Sequence, residues 1–512
     1  MGGCLASPQR EATANEEDGD STIPASKSPS CCVAFQLQRN NGKRLYYLRY
    51  EARGGAAAAA GNCGRSLRVN GGEGVASPYT RFYIVPSREH HGLVHIRCCY
   101  DNKYWVAQQR QHHSGWAIVG GADEPEEDQS KPTCTLFKTT RLPPSSIRLL
   151  HVHLGKYACL PASTDDSMSK LEDVSLSLLA GDEKDIITSF TVHDLSEQSI
   201  LPRHLAFKGD NGMYLRWINQ GGCGYLQFSG RDVADKAVVN AVQTNDDGTF
   251  RVRSSLVGKF WRRSPNWIWA DSTADAADGD DNTLFRAVKL SDAGVFALQN
   301  LGNDYFCKRL TTEGKRSCLN AATPTITPDA KLQLEEPVVS REIYNVAFDL
   351  SRPRIYGRSV VTMATASVLN DSTTSDNMTK VTLAYTDTEK RSWGSSVTLK
   401  LDVAATTLCA GAPVIVAEGS VKLSSEFSGS YNWGSAVEKE TAEEVAHQVT
   451  VPPKTRVTVT LTATRASCDV PFSYTQRDTL IDGQEDTYDM DDGLYTIVNY
   501  YDFKYVASEE DI

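Results

Sequence analysis

Leu205-Ala-Phe-Lys-Gly-Asp-Asn-Gly-Met-Tyr-Leu-Arg-Trp217 reads as an apolar strand, a turn of Gly and Asn, and a second strand led by an aromatic residue. The pattern returns as FRVRSSLVGKFWRRS from Phe250 and FALQNLGNDYFCKRL from Phe296. Aligned on Tyr214, Phe260 and Tyr305, the copies stand 46 and 45 residues apart. Three more copies precede them: VAFQLQRNNGKRLYYLRY from Val33, VHIRCCYDNKYWVAQQ from Val94 and LLHVHLGKYACL from Leu149. Tyr47, Tyr104 and Tyr157 hold the equivalent place. A two-stranded unit cannot cover its own apolar side. Three such units around a pseudo-threefold axis close one core, and three units occurring twice predict two tandem β-trefoils. The recurrent aromatic is expected in that core, with Gly or Asn at a positive-φ turn position. Between the two sets, SKLEDVSLSLLAGDEKDIITSF has mixed periodicity, which allows a short helix.

After Leu334 the composition changes to strands rich in Thr, Ser and Val. The chain therefore divides into a polar tail (1–30), two trefoils (31–195 and 196–338) and an elongated β-sheet domain (339–512), all-β throughout. Within the last domain, Ser396–Trp433 reads as an amphipathic hairpin. Its first arm sets Val397, Leu399, Leu401 and Val403 against Lys400 and Asp402; its second sets Val421, Leu423 and Phe427 against Lys422 and Glu426. Period-two alternation puts the two sets on opposite faces. Between the arms lies an apolar turn, Cys409 to Gly419, holding Pro413, Val414, Ile415 and Val416. One greasy face, one charged face and roughly 10 residues per arm suit a transmembrane β-barrel, with lipid outside and a wet lumen inside. The same alternation also serves a hairpin with one face on a core and one in water.

A formal charge of −11 argues against a nucleic-acid partner, whose phosphates need a basic surface. No run of 18 apolar residues occurs, so no membrane-spanning helix is expected. The N-terminal residues lack the apolar region of a secretory leader. Thirteen cysteines without a CxxC pair read as reduced thiols of a cytoplasmic protein, with no metal site and no cofactor expected. The opening MGGCLAS offers Gly2 and Cys4 for lipidation, which would tether the chain to a membrane. The Asp-rich stretches at 275–281 and 482–492 lack calcium-loop spacing and read as solvated loops. No nucleophile, phosphate or zinc-protease motif is present, so an enzyme is not expected.

The first two domains resemble the amaranthin-like plant agglutinins, which are tandem β-trefoil lectins. GLVHIRCCYDNKYW, IRLLHVHLGKY, LAFKGDNGMYLRW and CLNAAT carry the resemblance. The third domain resembles the aerolysin-type pore-forming module of natterin-like proteins, through APVIVAEGSVKLSSEFSGSYNWG and CDVPFSYTQ. The resemblance implies glycan binding, assembly of a homo-oligomer, and insertion of 396–433 as the stem, with Lys400, Asp402, Lys422 and Glu426 lining the pore. It also implies a plant defence or stress role. The loop Ser264-Pro-Asn266-Trp267-Ile-Trp269 is similar to a ligand loop of amaranthin, although here it lies in the second trefoil rather than the first. That makes Asn266, Trp267 and Trp269 candidate sugar contacts, with His113 and Trp116 at the first-trefoil position. Aromatic faces and amides are what a sugar's C–H patch and paired hydroxyls require. The alternative is a non-lytic lectin whose third domain oligomerises or scaffolds in defence signalling.

Overall fold

The computed structural model describes residues 31–37, 46–51, 66–70, 74–110, 115–143, 145–161, 175–179, 186–195, 200–291, 294–395, 408–409, 414–417, 420–423 and 436–512. Among these, strands predominate and the single α-helix is the short Ala274–Ala277. A 13-stranded sheet runs from Cys31 to Asp194, a 12-stranded sheet from His204 to Glu335, and a seven-stranded sheet from Val338 to Asp511. Val338 already pairs with Leu480, so the third sheet begins there. The segment with mixed periodicity contributes the strands Ser177–Leu179 and Ile186–Ile187.

The six hairpins are built to one register. Equivalent pairs close the hairpins or stand one step from the close: Gln36↔Tyr47, Arg97↔Tyr104, Leu150↔Tyr157, Lys208↔Tyr214, Arg253↔Phe260 and Gln299↔Phe306. The sixth equivalent is thus Phe306, one residue beyond Tyr305, which makes both spacings in the second trefoil 46. Adjacent strand residues face opposite ways. The residue after each closing aromatic therefore enters the core: Leu48, Trp105 and Ala158 in one cluster, Leu215, Trp261 and Cys307 in the other. The expectation that the recurrent aromatic itself fills the core is corrected accordingly. Four copies carry a register shift at this step, between Tyr104/Trp105, Tyr214/Leu215, Phe260/Trp261 and Phe306/Cys307. A bulge re-aims the side chains that follow it. Two residues before the closing aromatic, Asn102, Gly155, Gly212, Gly258 and Asp304 share a positive φ of 58–72°. That is the turn position forecast for Gly or Asn, with Asp304 as a further occupant.

The third domain is built on two long strands, Thr455–Leu480 and Glu485–Asp511, paired along most of their length. At about 3.3 Å per residue the longer spans roughly 85 Å. Near the trefoils, Cys468, Val470, Phe472, Tyr495 and Ile497 form a core with Ile343 and Trp393. At the far end, Val457, Val459 and Leu461 pack against Val381, Leu383 and Val451. The strand Asn377–Ser395 joins both ends, pairing first with Ala436–Val451 and then with Gly493–Val498.

Candidate functional sites: an exposed loop and a docked hairpin

In the second trefoil, Ser264 pairs with Trp267, leaving Pro265 and Asn266 to turn the chain. Trp267 is only 5% exposed; its ring meets Tyr225 edge-on at 6.1 Å and its Nε1–H donates to Glu313 at 3.1 Å. Trp269 is half-buried against the same tyrosine at 5.5 Å. Of the three candidate residues in the loop, Asn266 is the one that is exposed. Its carbonyl accepts from the Ala321 amide at 2.8 Å. Arg263 ties the loop to its neighbours, donating to Asn282 Oδ1 at 2.6 Å and to the Gly302 carbonyl at 3.3 Å. In the first trefoil Trp116 is half-buried against the core, while His113 lies outside the described residues.

Of the stem candidates, the strands Val414–Ala417 and Ser420–Leu423 are described, and they pair antiparallel with Val416 opposite Val421. The apolar stretch expected as a turn thus contains the strand Val414–Ala417. A run of β-branched Val414-Ile-Val416 favours that extended conformation. Val416 is 1% exposed and Val421 packs beside it on the sheet core, whereas Lys422 faces solvent. Asn499, on the long C-terminal strand, clamps the hairpin. Its Nδ2 donates to the Val416 carbonyl at 2.8 Å, and its Oδ1 accepts from the Val416 amide at 3.3 Å. Just upstream, Leu408–Cys409 pairs in parallel with Glu342 and Ile343. Val397, Leu399, Lys400, Leu401, Asp402, Val403, Pro413, Glu426 and Phe427 lie outside the described residues, as do Gly2 and Cys4.

A third cluster joins the first trefoil to the elongated domain. Arg352 donates to the Glu51 carbonyl at 3.2 Å and to the Tyr50 hydroxyl at 3.4 Å. Arg354 donates to the Asp123 carbonyl at 2.7 Å and to Asp469 at 3.2 Å, and Asn102 donates to the same Asp469 carboxylate at 3.0 Å. Both arginines are at most 5% exposed. Asp101, fully buried, accepts from Tyr50 at 2.5 Å, and burial pushes its carboxyl up to about 6. On the second trefoil, His204 Nε2 stands 2.9 Å from Asp486, and Arg203 stacks 4.2 Å over Tyr488. Sequence reading missed Asn499, Arg352, Arg354 and Asp101, because each gains its meaning from a partner distant in the chain.

A family model for the agglutinin domain matches residues 35–174 and 200–335, together more than half of the chain. A model for the aerolysin toxin matches residues 331–479. No curated protein sequence matches significantly. Among solved structures, the chain is similar to a lamprey immune protein, at 12% identity over 71% of this chain and 87% of that one, with a TM-score of 0.28. It is also similar to an aerolysin-like protein of Bombina maxima, at 14% identity over 33% and 99%, TM-score 0.21. A third is the parasporin-2 toxin of Bacillus thuringiensis, at 16% identity over 41% and 87%, TM-score 0.22.

Proposed function

Because this chain belongs to the agglutinin family and carries an aerolysin toxin module behind its two agglutinin domains, we propose that it is a glycan-guided, pore-forming defence or stress protein of the plant type. The trefoils bind surface glycans, protomers gather into a ring, and 396–433 leaves its sheet to enter the bilayer. Its action is binding and assembly rather than catalysis.

The docked hairpin carries this reading. Val416 and Val421 now rest on the core of the sheet, while Lys422 is in water. An apolar face held by packing and by the Asn499 clamp exchanges one dry surface for another when it meets lipid. Every backbone group must then be paired in a closed barrel, which one hairpin cannot provide, so insertion requires several copies. In that barrel Lys400, Asp402, Lys422 and Glu426 face the lumen. Asn266 on the second trefoil and the Trp116 region on the first are the proposed sugar contacts; Trp267 and Trp269 support the loop from beneath.

Dye release from liposomes bearing glycolipids tests the proposal. Leakage rising steeply with protein concentration is expected. Glycan binding with no leakage across lipid compositions and pH would refute the pore and leave a lectin scaffold.

A further inference from the structure

The register of the six hairpins isolates one residue that the fold does not need. The position just before the closing aromatic is Tyr46, Lys103, Lys156, Met213, Lys259 and Tyr305 in turn. Tyr46 is buried in the first core, whereas Tyr305 is 42% exposed. The core-facing role in this copy is taken by Cys307, and Phe306, with a register shift after it and the positive-φ Asp304 two residues before it, stands where the other copies carry their recurrent aromatic. Tyr305 therefore presents an aromatic ring to water where packing asks for none.

Its surroundings are polar and drawn close. Asp304, at φ 58°, is exposed beside it. Asn303 accepts from the Tyr305 amide at 3.2 Å and donates to the Ala321 carbonyl at 3.0 Å. The amide of the same Ala321 is bound by the Asn266 carbonyl, so the Asn266 loop and the Asn303–Tyr305 loop flank one residue. Arg263 bridges both loops to Asn282. Gly302 permits the approach: a Cβ there would lie 2.4 Å from Asn282 Oδ1 and 3.0 Å from its Cα.

We infer that Tyr305, with the Asp304 carboxylate and the Asn266 amide, forms a binding site for a neutral hexopyranose on the second trefoil. The ring supplies the flat apolar face that a pyranose C–H patch covers, and the carboxylate accepts from a pair of hydroxyls. The amide donates through its Nδ2, its Oδ1 already accepting from Arg263 at 3.5 Å. The carboxylate disfavours acidic sugars by like-charge repulsion. This inference rests on the lectin reading above and names its site.

The test is an array of neutral and acidic oligosaccharides probed with the full chain, followed by titration of the best ligand. Tyr305→Ala is expected to weaken binding about tenfold or more, about 1.4 kcal/mol per tenfold. Tyr305→Phe, which keeps the ring, should stay within about threefold of the native chain, and neither change should lower the melting temperature. Native-like affinity in Tyr305→Ala overturns the site while leaving the lectin reading intact, as does loss of binding only on Trp116→Ala. A native chain that binds no glycan overturns the lectin reading and the site with it.

Discussion

Replacing Asn499 by Ala should loosen the docked hairpin without unfolding the sheet beneath it. Both backbone groups of Val416 bond to this one side chain, and Val416 itself is buried. Each hydrogen bond contributes about 1 kcal/mol net, and a buried group left without a partner costs about 1–3 kcal/mol. Two stranded groups, partly rescued by entering water, give a loss of roughly 2–4 kcal/mol. At 1.4 kcal/mol per tenfold, docking weakens by about 30- to 1,000-fold. Hydrogen exchange followed by mass spectrometry reads this directly in a peptide covering 414–423, with trefoil peptides as internal controls. Exchange there should accelerate by the same factor, and the leakage threshold should fall. Asn499→Asp sharpens the test. Its carboxylate still accepts from the Val416 amide but repels the carbonyl, and protonation restores a donor, so docking recovers in acid. Exchange in 414–423 unchanged by Asn499→Ala would refute the clamp.

Ile343 and Cys409 are register partners across the parallel pair, a spacing that suits a disulfide, so Ile343→Cys should lock the stem through a thiol already present. Oxidised protein is then expected to bind glycan without leaking and to regain leakage on reduction; leakage that survives oxidation would reassign the stem. His151 is buried and held neutral, its Nε2 3.1 Å from the Cys134 carbonyl, and burial pulls it down from 6.5 to about 4. The unfolded chain takes a proton near 6.5 and the folded chain does not, so stability is lost as pH falls from 6.5 towards 4, by up to about 3 kcal/mol. His151→Gln should shrink the drop in melting temperature between pH 7 and 5, and an unchanged drop would contradict this. Asp101 works the other way. With its carboxyl raised from 3.8 to about 6, the folded state holds a proton that the unfolded state has released, so its contribution weakens as pH rises through that window. Asp101→Asn should therefore make acid more damaging; a pH profile identical to the native one would refute the assignment.

Much of the architecture was legible because it repeats. Six hairpins with the same alternation announce two trefoils, and the change in composition after Leu334 marks where repetition ends. The slip at Tyr305 has a simple cause: two adjacent aromatics, Tyr305 and Phe306, offer two alignments, and only the register shift after Phe306 and the positive φ of Asp304 choose between them. The stretch 409–419 read as a turn because Gly, Ala and Pro crowd its first half, while its β-branched second half forms a strand. Trp267 looked like a sugar platform because a tryptophan in a loop motif says nothing of its cover; here Tyr225 and Glu313 supply that cover. Asn499 lies 83 residues from Val416, and Arg352 lies 302 from Tyr50. Contacts of that range leave no local periodicity to read.

The join between the first trefoil and the elongated domain has a consequence for how the molecule can come apart. Arg352 bonds Tyr50 and Glu51, and Arg354 and Asn102 meet at Asp469, all through directed polar bonds. Each of these groups finds a substitute partner in water as soon as the surfaces separate. A seam of this kind is expected to give way before the core of either domain does, as a separate early step when unfolding is followed by hydrogen exchange.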